Sequence, residues 1–453
     1  MRYLLDASYR RPGDGKVVIG GSPLRLFRLS TGGARVMRAI ELGHEPPVGH
    51  APLTDRLVDA GAIHPSTEAD DAPFTVADVT VVCPAFGRAP DLGDLPAHCR
   101  TVVVDDASDP PVVAPAGTQT LRRRVNGGPA VARNEGLATV DTALVAFIDT
   151  DVHVPAGTAW LERLLAHFAD PRVALVAPRV RSDGASVGVL AAYERARSPL
   201  DMGDQPARIA AGTRVSYVPA AAIVCRTEAM RAVHGFDATM RVGEDVDLAW
   251  RLAEAGWRCR YEPAIEVVHE PRRSPAGWLR QRVHYGSSAA PLALRHPGAL
   301  APLRVSGWSA AVWALVVLRR PFAALSLAGG TTVALRRKLG DLPWQESARL
   351  AGLGHLHAGR QIADAVRRVW WPIVLAGALV SRRVRRWFAV AMVVPPLIEW
   401  IARRGPVDPV RYTVLRIADD AAYGAGVWKG AVATPTAEPL LPDLTNWPRR
   451  GDR

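Results

Sequence analysis

Asp149 and Asp151 stand two residues apart at the end of an apolar run, 143–148, that reads as a buried strand. Farther along, Glu244, Asp245 and Asp247 follow directly on Gly243. Two carboxylates at the mouth of a strand suit a hard divalent cation, Mg²⁺ or Mn²⁺, which takes oxygen ligands and holds substrate phosphates. The second cluster can supply a general base; Asp245 is the candidate, with Glu244 helping to position it. A cation-held diphosphate leaving group beside a base is the minimum equipment for moving a group from a nucleotide to a hydroxyl. Each cluster also has a plainer reading, since D-x-D occurs in solvated turns and acidic residues favour helix N-termini. Asp247 and Arg251 lie four apart on one helix face and are expected to pair with each other.

Further residues can complete such a site. Asp105 and Asp106 close the apolar run 101–104, where a carboxylate can accept hydrogen bonds from a uracil N–H or ribose hydroxyls. The same Asp-Asp-Ala-Ser stretch also suits a turn. Asn126 leads through Gly127 and Gly128 into a helical stretch with Arg133 and Asn134. Glycines there let the backbone approach a ligand, and a helix N-terminus favours anionic groups. His269 ends the run 265–269, and a neutral imidazole can ligate Mn²⁺ beside carboxylates. Gln281 and Arg282 are expected to grip diphosphate oxygens, with Trp278 or Tyr285 stacking on a sugar ring. That stretch also reads as a basic amphipathic helix lying on lipid headgroups.

Residues 78–270 must position this chemistry. Apolar runs at 79–83, 101–104, 143–148 and 173–177 alternate with helical patterns at 130–140 and 159–168. The alternation predicts an α/β sandwich on a mostly parallel sheet, with ligands at the carboxyl ends of strands, where Asp105, Asp106, Asp149 and Asp151 stand. Residues 1–72 read as a small winged-helix-like module: strands at 17–19 and 24–29, helices at 31–42 and 53–60. A polar linker is expected at 68–73, an apolar and basic helical region at 291–430, and a flexible tail at 431–453.

The 453 residues carry a net charge of +12, unevenly placed. Residues 271–453 hold 27 Lys+Arg against 10 Asp+Glu, or +17, and residues 1–270 hold 29 against 34, or −5. That split argues against a chain-wide nucleic-acid footprint. Ten of the thirteen Trp lie in the basic part, a mixture suited to an anionic membrane surface. Its two apolar regions, 305–335 and 369–401, are broken by arginines at 319–320 and 382–386. They read as interfacial or re-entrant hairpins, or else as a buried helical domain. Met1 to Asp6 read as lacking an apolar stretch long enough for a secretory signal, and the scattered cysteines Cys83, Cys99, Cys225 and Cys259 read as reduced thiols. The expected location is the cell membrane, with the catalytic domain on its cytoplasmic side.

In order and spacing, residues 78–290 resemble the family 2 inverting glycosyltransferases of the GT-A fold. Residues 81–88, with Pro84 and Arg88, look like the opening strand that reaches the nucleotide base. Asp105 and Asp106 match the nucleotide-binding aspartates, Asp149 and Asp151 the metal-binding D-x-D pair, and Glu244 and Asp245 the E-D pair whose aspartate is the catalytic base. Gly235, Phe236 and Asp237 match as well, and His269 falls where many members supply a further metal ligand. Residues 281–285 look like a degenerate Q-x-x-R-W element, with His284 where Arg is expected and Tyr285 where Trp is. Residues 28–37, 57–65 and 126–135 are similar to the glycosyltransferases of the mycofactocin system, whose members attach glucose units to a peptide-derived redox cofactor in actinobacteria. The first 72 residues resemble small modules that recognise peptide precursors. The resemblance implies a UDP-sugar donor, a peptide-derived acceptor, and Mn²⁺ or Mg²⁺. A membrane polysaccharide or lipid-linked sugar synthase and a non-catalytic peptide-binding scaffold are the alternatives.

Overall fold

The apolar runs do become strands, and the helical stretches between them helices. The structure is a computed structural model, and it describes residues 2–67, 72–91, 95, 99–184, 186–272, 274–340 and 342–445. The chain divides into two units. One holds Met1–Arg11, Gly15–Ser186 and Arg197–Pro271; the other holds Pro12–Asp14, Val187–Ala196 and Arg272–Arg453.

The first unit begins with β1 (Arg2–Leu5), β2 (Val17–Gly20), β3 (Arg25–Arg28), α1 (Thr31–Glu41), α2 (Ala51–Asp59) and β4 (Ile63–Ser66). β1 pairs antiparallel with β4, and β2 with β3. Ser30 caps α1, its hydroxyl accepting from the Gly33 N–H at 3.1 Å. Val18, Phe27, Met37, Ile40, Leu57 and Ile63 form a small core beneath these elements. Most of the polar linker expected at 68–73 lies outside the described residues.

Next come β5 (Val79–Ala85), β6 (Arg100–Asp105), β7 (Gln119–Arg122), α3 (Pro129–Ala138), β8 (Leu144–Ile148), β9 (Val152–His153), α4 (Ala159–Leu165) and β10 (Val173–Ser182). After α5 (Val189–Ala196), which belongs to the second unit, follow β11 (Ala207–Arg208), β12 (Ala222–Arg226), α6 (Thr227–Ala232), α7 (Glu244–Glu254) and β13 (Arg258–His269). The strands form one sheet in the order β11-β13-β10-β12-β8-β5-β6-β7, with β9 on β13. The sheet is mixed rather than mostly parallel. β5, β6, β7 and β8 run together and β10 runs with β13, but β12 enters antiparallel to both β8 and β10. Leu144, Ala146, Leu161, Leu164, Val176 and Val224 are among the apolar side chains of its core. α3 lies so close to the sheet that a Cβ on Gly136 would fall 2.3 Å from Val82 Cγ1. Only glycine fits there.

Charged side chains tie the N-terminal elements to this sheet. At the start of β13 the Arg258 guanidinium reaches Asp55 at 2.8 Å, Asp59 at 2.7 Å and Asp170 at 2.8 Å. Buried Asp6 accepts from Arg214 at 2.8 Å and lies 2.9 Å from His64 Nε2. Burial raises the Asp6 pKa, but these hydrogen bonds outweigh it and hold the carboxyl well below the usual range.

The second unit is helical: α5, α8 (Pro275–Ser287), α9 (Ala289–Arg295), α10 (Gly307–Val317), α11 (Pro321–Lys338), α12 (Trp344–Arg368), α13 (Trp371–Val380), α14 (Arg382–Arg403) and α15 (Pro409–Ala433), with β14 (Arg304–Ser306) parallel to β15 (Asp443–Thr445). α8 and α15 touch backbone to backbone: a Cβ on Gly286 would meet Tyr423 O at 2.0 Å, and one on Gly426 would meet Val283 O at 2.0 Å. Among the described residues no helix is long and apolar enough to cross a membrane. Of the tail expected at 431–453, residues 431–445 hold the end of α15, a 3-10 turn and β15, and 446–453 lie outside the described residues.

Arg258→Met leaves three carboxylates without their shared cation. It is expected to lower the unfolding free energy by about 2–4 kcal/mol in urea titrations. A change under about 0.5 kcal/mol, the size of an exposed pair, would show that the cluster is too solvated to matter.

Candidate active site

β8 delivers Asp149 and Asp151 just past its carboxyl end, and α7 delivers Glu244 and Asp245 in its first turn. Gly243 starts α7 from a left-handed backbone (φ +80°), which side-chain-bearing residues rarely adopt. Arg133 of α3 joins the two clusters. Its Nη2 donates to Asp149 Oδ1 at 2.7 Å and its Nη1 to Glu244 Oε1 at 2.8 Å. The guanidinium is buried and lies 5.3 Å from the centre of the Phe236 ring, within cation–π reach. The start of β12 makes a second link. The Ala221 carbonyl accepts from the Asp149 N–H at 2.9 Å, and the Ala220 N–H donates to Asp245 Oδ2 at 3.4 Å. Residues more than ninety positions apart therefore share one site.

This crowding shifts their acidity. Burial, reinforced by the neighbouring Glu244, pushes Asp245 up to about 7 against the weaker pull of Arg133 and of the Val246 and Ala220 N–H groups. Asp149 is also raised, first by burial and then by Asp151 and Glu244, with Arg133 opposing. A half-buried carboxylate with a pKa near neutrality can take a proton at neutral pH.

His269, at the end of β13, places Nε2 3.4 Å from Asp151 Oδ2. Carboxylate oxygens with one imidazole are a donor set that fits Mn²⁺ or Mg²⁺. Asp149 is raised chiefly by burial, and Asp151 and Glu244 add repulsion that a bound cation would offset. Among the described residues no three His, Cys, Asp or Glu side chains are gathered so as to hold a metal ion, and Asp149 is turned toward Arg133.

Several expected ligand contacts are taken up by the chain itself. Asp105 accepts from the Ser108 N–H at 2.9 Å, the Val112 N–H at 3.2 Å and Arg122 at 2.8 Å. Burial raises its pKa, but these bonds hold the carboxyl below its usual value. Asp106 accepts from the Gly127 and Gly128 N–H groups at 2.9 and 2.7 Å, which fixes the entry to α3. Both are buried and bonded within the turn. Asn134 exchanges two bonds with the Phe236 backbone, 2.7 and 2.9 Å, so it braces the 235–236 turn rather than facing a ligand. Arg133 faces the carboxylates, not an open anion site. Asn126 bonds to the Asp106 carbonyl and accepts from Arg241 at 3.1 Å. Pro84 lies half-buried in β5. Arg88 forks onto Glu270 at 2.7 and 2.8 Å and holds that carboxyl down at about 2. Asp247 and Arg251 pair at 2.7 Å, as their spacing predicts.

The second unit holds the remaining candidates on α8. Trp278 and Arg282 are buried. Trp278 Nε1 donates to Glu194 at 2.9 Å, and Arg282 is clamped between Glu194 and Asp419. Neither is free to grip a diphosphate or stack on a sugar, which corrects the expectation for both. Gln281 Oε1 accepts from Arg282 at 3.1 Å, and Tyr285 is buried along one side of α8 only in part. The contacts of the Ala220 and Ala221 backbone and of Glu270 had no sequence signal, because backbone groups and a post-strand Glu carry no motif.

The sequence profile of "Glycosyl transferase family group 2" matches residues 144–397, more than half of the chain. The chain belongs to that family. It is 40% identical over 461 aligned residues to the pre-mycofactocin glycosyltransferase of Mycobacterium tuberculosis strain H37Rv, covering 97% of each chain. That likeness places it among the glycosyltransferases of the mycofactocin group within the family. A shorter match, 33% identical over 161 residues, covers 32% of this chain and 48% of the succinoglycan biosynthesis protein ExoA of Rhizobium meliloti. Among solved structures, a mannosyltransferase from Pyrobaculum calidifontis in complex with GDP-Man and Mn²⁺ is 19% identical, with a TM-score of 0.36 over 64% of this chain and 89% of that one.

Arg133→Met leaves Asp149, Glu244 and Asp245 facing one another without a cation. The expected loss of unfolding free energy is about 3–5 kcal/mol at pH 8. Without Arg133 the carboxyls titrate higher in the folded state than in the unfolded chain. Their penalty is therefore full when ionised and shrinks on protonation, so the deficit should be smaller at pH 5. Urea unfolding at both pH values checks this; a deficit that grows on acidification would contradict the electrostatic assignment.

Proposed function

We propose that this glycosyltransferase moves glucose from UDP-glucose onto a hydroxyl of a peptide-derived acceptor, pre-mycofactocin, with inversion at the anomeric carbon. The observation that carries the mechanism is the half-buried Asp245, raised to about 7, in the same cluster as Asp149 and Glu244. Asp245 takes the acceptor hydroxyl proton as the oxygen attacks the anomeric carbon. The new C–O bond forms on the face opposite the departing UDP, whose bond to that carbon breaks. The Val246 N–H, 2.8 Å from Oδ1, and the Ala220 N–H, 3.4 Å from Oδ2, hold Asp245 in place, and the neighbouring Glu244 raises its pKa. Asp149, Asp151 and His269 would hold Mn²⁺ or Mg²⁺, which when bound offsets charge on the leaving diphosphate. The likeness to the M. tuberculosis enzyme along nearly its whole length supports the acceptor. The N-terminal module, with its own core and its charged seam to the sheet, is the part we assign to peptide recognition.

Mass spectrometry of products from UDP-glucose, Mn²⁺ and the peptide-derived acceptor should show a hexose added to that acceptor. A preference for a lipid-phosphate acceptor assayed in parallel would remove the cofactor reading in favour of a lipid-linked sugar synthase. Asp245→Asn should lower turnover by about 10²–10⁴ while donor affinity, read by calorimetry, stays close to wild type. Because the base works only when ionised, kcat/KM should rise with pH, pass its midpoint near 7 and level off above about 8. Full activity in Asp245→Asn would end the base assignment.

A further inference from the structure

Two helical hairpins of the second unit leave apolar side chains in water. α10 and α11 turn at residues 318–320, and α13 and α14 at Ser381. Only Ala378 is buried among the ten residues of α13, and only Pro396 among the 22 of α14. At the turns Phe322 is 84% exposed, Leu379 73% and Val380 88%. Arginines flank the same side chains: Arg319 and Arg320 at the first turn, Arg382, Arg383 and Arg386 at the second. No acidic residue occurs anywhere in 307–340 or in 371–398. The other end of the first hairpin is anchored on α12. Trp313 Nε1 donates to the His355 carbonyl at 2.7 Å, while Ser309 and Thr331 hydroxyls meet the His355 ring at 3.0 and 2.8 Å.

We propose that the tips of these two hairpins dock on the surface of an anionic phospholipid bilayer, with the apolar residues in the headgroup–acyl boundary and the arginines on lipid phosphates. The charge pattern selects this occupant. Apolar side chains ringed by cations without a compensating carboxylate match a surface that is apolar beneath and anionic above. A second copy of the chain docking hairpin to hairpin would set arginine against arginine. The ten residues of α13 rise about 15 Å, half of a hydrocarbon core of about 30 Å, so the contact is shallow insertion rather than a span. The proposal does not depend on which sugar or acceptor the enzyme uses.

The test is sedimentation of the full-length protein with phosphatidylcholine vesicles, with and without phosphatidylglycerol. Binding should be at least about tenfold tighter to the anionic vesicles and weaken with salt. The double variant F322D/V380D, at two solvent-facing positions, should lose about tenfold or more with an unchanged circular dichroism melt. R382Q/R383Q/R386Q should lose the preference for phosphatidylglycerol. No vesicle binding, equal binding to both vesicle types, or variants that bind like wild type would each overturn the proposal. A wild-type dimer in analytical ultracentrifugation that F322D/V380D converts to monomer would assign the faces to a second copy and overturn it too.

Discussion

One guanidinium joins the two acidic clusters of the candidate site. Arg133 is buried between a carboxylate from the end of a central strand and another from the start of a helix. Without it, three acidic side chains would share a poorly solvated space, a state that costs several kcal/mol for an unpaired buried charge. With it, their charges are only partly offset. Burial first, and then repulsion from Glu244, raise the Asp245 pKa to about 7. The cation that pairs two of these carboxylates only partly opposes the rise of the third. Arginine suits this task better than lysine, because one planar fork reaches two carboxylates while its face rests on Phe236.

The sequence was most readable where a signal depends on one residue's own surroundings. The strand runs at 79–83, 101–104 and 143–148 and the helix opening at Gly243 all stand where apolar spacing and glycine place them. It was less readable where two faces of one element compete. The glycine-led start of α3 looks like an anion site, and the position of Arg133 in it fits that idea. Nothing in a linear pattern shows that the arginine turns inward to the chain's own carboxylates. Asp105 and Asp106 illustrate the same ambiguity, since an aspartate at a strand end serves a ligand or a turn equally well. The antiparallel β12 was hidden for another reason: a short apolar run states its burial but not its direction.

The arginine-rich second unit uses its charge in two opposite ways. Arg282, Arg367 and Arg416 are buried and paired with Glu194, Asp419 and Asp420, so they fasten helices to one another. The arginines at the hairpin turns are in water. Composition alone counts both sets equally, which is why Trp278 and Arg282 read as ligand contacts although they belong to the helical core.

β13 starts in the arginine–carboxylate seam with the N-terminal module and ends at His269. Beside it, Pro178 pairs with Glu262 while the next residue of β10, Arg179, pairs with Glu266, so residues 263–265 are surplus. A strand without that slack would transmit any one-residue slip along its length and reverse the face of every side chain beyond it. The surplus breaks the strand into two independently indexed halves. A change of length at the end that meets the N-terminal elements is absorbed there, while the imidazole at the other end keeps its orientation.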